Sequence, residues 1–158
     1  MLLTALFYGG ESLNRNEVSM HTILLLSSNS RSTAGVLLLT IVAIEYGGWF
    51  MLRVVRGRQP ATPFQQAFFR AGHAHAGVLV ILALVGQILA DAAQMSGLLA
   101  FLARDGIWAA AILMPAGFFL SAAGKGITKP NQFIVLLYIG VASLTLGVVS
   151  LGIGLLTT

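Results

Sequence analysis

"FFRAGHAHAGVLVILALVGQILAD", residues 68–91, decides the fold. From Ala71 to Ala90 it is apolar or small at almost every position, and it has the length of about 20 residues that a helix needs to cross a bilayer. In lipid, backbone N–H and C=O groups must be satisfied within the segment, which at this length means a helix. Just upstream, "TPFQ", residues 62–65, is a start signal. Thr62 stands at the N-cap, Pro63 at the first helical position and Gln65 at the third, as in a capping box. Phe64 and Phe68 then share one face at i, i+4, which suits an interfacial entry.

Composition extends this reading to the whole chain. The 158 residues are 57% hydrophobic and 9% charged, with a mean hydropathy of +0.89. A soluble domain carries about 25% charged residues, so these charges are too few to cover a water-facing surface. Four spans are predicted, at residues 32–52, 71–90, 106–124 and 132–156, the third slightly short and kinked at Pro115. The fold class is therefore all-α, a polytopic four-transmembrane-helix bundle in one domain over residues 32–158. Residues 1–31 are expected to form a poorly ordered tail with interfacial patches and no convincing secretory signal, Met20 being an alternative start. Asp105 is the expected N-cap of the third helix, and "GLLAF", residues 97–101, reads as a short interfacial turn before it.

The net charge of +4 does not point to nucleic acid, because the basic residues sit in short loops between apolar runs. Arg53, Arg56, Arg58 and Arg70 surround the first loop and Lys125 and Lys129 the third. The second has Arg104 beside Asp91 and Asp105. The positive-inside rule then makes both basic loops cytoplasmic and both termini extracytoplasmic. There is no cysteine, hence no disulfide framework, thiolate metal site or iron–sulfur cluster.

Small residues form two stripes. Gly140, Ser143, Gly147, Ser150 and Gly154 are spaced 3, 4, 3, 4 along the fourth span. Gly72, Ala76, Leu79, Ala83, Gly86 and Ala90 make a similar line on the second. Such stripes let helices approach closely in lipid, within one bundle or between copies.

The polar residues at depth are the candidate site. Glu45 is the one acid inside a span, about 12 Å along the helix from Arg53. A lone carboxylate there is costly and marks function or a structural hydrogen bond. His73 and His75 are about 200° apart on a helix, so they cannot share one metal or one haem from a regular helix. His75 lies about 7.5 Å beyond Arg70, nearer in depth to Glu45. A Glu45–His75 contact, direct or through one water, is the expected pair, with His73 nearer the headgroups. For each histidine a packing or snorkelling role stands beside ligation.

The stretch "FFRAGHAHAGVLVILALV", with "IEYGGWFML" upstream, resembles small, uncharacterised four-helix integral membrane proteins of bacteria. The resemblance covers residues 33–156 and implies a plasma-membrane location without an activity. Four helices with one Glu in the first are also similar to the small multidrug resistance transporters, whose pattern does not include "GHAHAG".

Three functions fit these residues. A small proton- or ion-linked transporter or channel would use Glu45 with a histidine and would need copies of the chain to complete a path. An accessory or assembly subunit of a larger membrane complex would use them structurally. A haem protein would need a second copy or a single axial histidine, because only the second span offers histidines, and a transition-metal site would need Glu45, a histidine and a further ligand. No nucleophile–base pair, phosphate loop or paired carboxylate appears, so no catalytic residue is assigned. The bilayer is the partner that every reading shares.

Overall fold

The structure, a computed structural model, describes residues 26–157. Four helices follow one another: α1 (Ser28–Val55), α2 (Pro63–Ala92), α3 (Gly97–Ser121) and α4 (Ile134–Thr157). All four are long and apolar enough to cross a membrane, and the chain is a multi-pass membrane protein. The tail expected over residues 1–31 lies outside the described residues as far as residue 25. Its last four residues are the first turn of α1, capped by Ser27, whose side chain accepts from the Ser30 N–H.

Each helix packs antiparallel on its neighbour in sequence. Along α1 and α2, Phe50 meets Phe69, while Ser30 meets Gln87. Along α2 and α3, Gly72 faces Phe119 and Gly86 faces Ile107. Along α3 and α4, Gly117 faces Leu137 and Gly106 faces Gly147. The α3–α4 pair is the tightest, because its backbones nearly touch. A Cβ added to Gly147 would lie 2.9 Å from the Ile107 backbone nitrogen, and one on Gly106 would lie 2.9 Å from the Ser143 carbonyl oxygen. Ser143 also donates from Oγ to the Gly106 carbonyl at 2.8 Å. The stripe on α4 thus packs within the bundle, and Gly140, Gly147, Ser150 and Gly154 are buried. The stripe on α2, buried except at the half-buried Ala76, meets α3 through Gly72 and Gly86. The core gathers around Leu79, Ala83, Ile107, Ala110 and Met114. By contrast α1 packs chiefly on α2, and only 11% of its most apolar window is buried.

The start of α2 is as expected. Thr62 accepts from Gln65 N, and Gln65 Oε1 accepts from Thr62 N at 3.1 Å. Gln65 goes further, donating from Nε2 to the carbonyls of Ala122 (2.9 Å) and Gly124 (2.8 Å). These are carbonyls at the end of α3 that have no intrahelical partner. Thr62 Oγ1 donates to the Ile127 carbonyl, and Asn131 Nδ2 to that of Leu120. Glycines at positive φ, Gly124 (127°) and Gly126 (67°), turn the chain between these bonds.

Asp105 is not the N-cap of α3. The helix begins eight residues earlier, at Gly97, and "GLLAF" is its first turn rather than a separate one. No breaker stands between Gly97 and Gly106, and Gly106 is used for the approach of α4. Asp105 instead accepts from Trp108 Nε1 at 2.8 Å, one turn along the same helix. Pro115 is buried inside α3, which continues through it.

Candidate functional site

Two adjacent glycines on α1, Gly47 and Gly48, make room for an imidazole. A methyl group on Gly47 would sit 3.3 Å from Nδ1 of His73, and one on Gly48 would sit 3.5 Å from its Cε1. His73 therefore meets α1. Its ring lies at one end of a groove of about 480 Å³ between α1, α2 and α3, lined among others by Thr40, Gly47, Val80, Trp108 and Ile112. The groove is apolar for most of its length, as sites for membrane-resident groups are. Among the described residues, His73 has no hydrogen-bond partner.

His75 points elsewhere. Its Nδ1 lies 2.7 Å from the Ala71 carbonyl oxygen. A carbonyl only accepts, so Nδ1 carries the proton. The ring packs on Phe118 of α3, centroids 4.9 Å apart.

Glu45 faces away from both. Two residues, or about 200° of turn, separate it from Gly47. Its side chain is exposed and leaves α1 on a flank about 110° round from the mean direction of Gly47 and Gly48, away from His73. Among the described residues it makes no ion pair or hydrogen bond. The expected Glu45–His75 contact is therefore absent within one chain. The physical reason lies in the stripe on α2. That stripe faces α3, where a Cβ on Gly72 would meet Phe119 at 2.9 Å. His75, close to the stripe, is carried toward α3, and His73, on its other side, toward α1. Glu45 and His73 nonetheless share a depth, since Gly47 and Gly48 are two and three residues from Glu45, or about 3–4.5 Å.

At the other end of the bundle stands a polar latch that the sequence reading missed. Arg104 Nη2 donates to Asp91 Oδ1 at 2.6 Å. Asp91 Oδ2 accepts from the Ser27 backbone N–H at 2.8 Å. Ser30 Oγ donates to Gln87 Oε1 (3.2 Å), and Gln87 Nε2 donates to the Arg104 carbonyl (3.3 Å). Ser30 and Gln87 are buried. The latch ties the start of α1 to the end of α2 and the second turn of α3. Among the described residues Arg104 Nε is buried with no partner, so the latch as described is strongly polar yet incompletely paired. Opposite charges flanking a short loop were its signal.

Among the described residues no group of three or more His, Asp and Glu side chains converges as a metal site would require. His73 and His75, on different sides of α2, cannot ligate one metal or haem iron within a single chain. Comparison with protein-family models, curated proteins and solved structures finds no match.

Proposed function

We propose that the chain is an integral protein of the bacterial plasma membrane that works as an assembly of its own copies. In this reading Glu45 of one copy faces His73 in the groove of the next, and the two handle a proton or small cation at the subunit boundary. Both basic loops are cytoplasmic and both termini extracytoplasmic, by the balance of arginine and lysine among the loops.

The observation that carries the reading is the exposed side chain of Glu45 on the outer flank of a membrane helix, with no ion pair or hydrogen bond among the described residues. A charged group facing hydrocarbon costs several kcal/mol, at least about 2.5–3.5 by insertion scales. Cover by another chain, with a polar partner at the same depth, removes that cost. His73 supplies such a partner, and the groove around it opens sideways. A donor flank and an acceptor groove on different sides of α1 generate a head-to-tail contact, the kind that closes into rings.

The test is proton flux into liposomes carrying a pH-sensitive dye, driven by a potassium diffusion potential. Glu45→Gln and His73→Ala should each abolish flux above that of empty liposomes, and His75→Ala should retain it. Wild-type flux no greater than that of empty liposomes, or undiminished flux in Glu45→Gln, contradicts the reading.

A further inference from the structure

Where α1 ends, the chain builds a concave cluster of three arginines. Trp49, Leu52, Arg53, Arg56 and Arg58 enclose a pocket of about 230 Å³. The guanidinium of Arg53 lies over the Trp49 ring, 4.9 Å from its centroid, which fixes that side chain in place. The turn that brings Arg58 round is held by the backbone. Gly57 adopts φ +67°, and the N–H groups of Arg58 and Gln59 both donate to the Arg53 carbonyl, at 2.9 and 3.2 Å. Arg56 N–H donates to the Leu52 carbonyl at 3.0 Å. Among the described residues none of the three arginines forms an ion pair.

A helix C-terminus by itself repels anions. Here the Leu52, Arg53 and Val54 carbonyls are already occupied by the turn, and three guanidinium groups outweigh about half a unit of negative charge. Membrane orientation requires basic residues near this end, but not that three share one concavity.

We infer that this pocket binds the phosphodiester headgroup of an anionic phospholipid. Guanidinium groups match phosphate oxygens in pairs of parallel hydrogen bonds. The phosphate comes from a lipid rather than from solution because the walls continue into the membrane. Leu52 and Trp49 are exposed, at 43% and 50%, and Tyr46 lies tilted against Trp49 one turn deeper, centroids 5.5 Å apart. Chains hanging from a headgroup in the pocket would lie along that apolar face. Basic pockets beside transmembrane helices are built for such headgroups.

The experiment uses the full-length protein in neutral detergent micelles and counts bound lipid by native mass spectrometry. Phosphatidylglycerol and phosphatidylcholine are titrated separately, each with and without inorganic phosphate. The variants are R56Q/R58Q and, as a control outside the pocket, R70Q, since Arg70 is held by Gln66 Oε1 at 3.3 Å. Phosphatidylglycerol should bind more tightly than phosphatidylcholine, and R56Q/R58Q should weaken it by about thirtyfold, the loss of two near-surface cations. R70Q should leave the preference in place, and equimolar inorganic phosphate should not displace the lipid. Equal binding of the two lipids overturns the inference, as does an equal loss in R70Q, which would mean diffuse attraction to a basic surface. Displacement by equimolar inorganic phosphate overturns it too, in favour of a soluble anion.

Discussion

The imidazole of His73 rests against Gly47, with room for no more than a displaced methyl group between them: a Cβ there would lie 3.3 Å from Nδ1. This contact joins those of Phe50 with Phe69 and Ser30 with Gln87 in setting how α1 leans on α2. Gly47→Val should push the ring aside and cost about 1–3 kcal/mol, the range for overpacking. His73→Ala should relieve part of that cost, whereas His75→Ala should not. A double-mutant cycle on thermal stability in detergent measures this. Strict additivity of the first pair would mean that the two residues do not touch.

The α3–α4 seam leaves no room for side chains. Gly147→Leu would drive its side chain into the backbone of Ile107 and Gly106. It should destabilise the fold severely, by more than about 3 kcal/mol, beyond ordinary overpacking because backbone must move. Leu146 is 55% exposed, so Leu146→Ala should change stability little. Similar melting of the two variants in detergent would rule the seam out.

The latch makes a different kind of prediction. Asp91→Ala strands Arg104 in a partly buried place and removes the acceptor of the Ser27 N–H. Breaking a fully buried pair from one side costs about 3–5 kcal/mol, and this partly buried pair should cost less than that. The first turn of α1 should also fray, which amide hydrogen exchange at Ser27 to Arg31 would register. A joint change, Asp91→Leu with Arg104→Leu, should recover much of the melting temperature but not the protection of that turn. Unchanged exchange in Asp91→Ala would show that the carboxylate does not hold α1.

What the sequence made legible was local or periodic. The capping box at Thr62 and Gln65 lies within four residues, and the α4 stripe repeats every three or four, so both could be read directly. The choice of neighbour could not. A helical wheel gives the angle between His73 and His75 but not which helix stands at each angle, and that is decided by the fit of Phe119 into Gly72. Asp105 resembled a cap because polar residues precede many helices, but no breaker near it ends the helix that starts at Gly97. Asp91 and Arg104 are 13 residues apart across a loop, and each looked like an orientation charge until the fold joined them. Glu45 was legible as costly, while its direction away from the bundle was not.

The central claim, that a neighbouring copy covers Glu45, is tested most directly by disulfide cross-linking in native membranes. Val42 is 65% exposed and belongs to the Glu45 flank, and Ile112 is 53% exposed at the rim of the groove. The natural chain has no cysteine, so the double variant Val42→Cys/Ile112→Cys carries only the introduced pair. Mild oxidation should give a ladder of cross-linked species from the double variant and monomer from either single variant, with the ladder lost when Glu45→Gln is added. Monomer alone from the double variant, or dimers from Val42→Cys by itself, would contradict the head-to-tail assembly on which the proposed function rests.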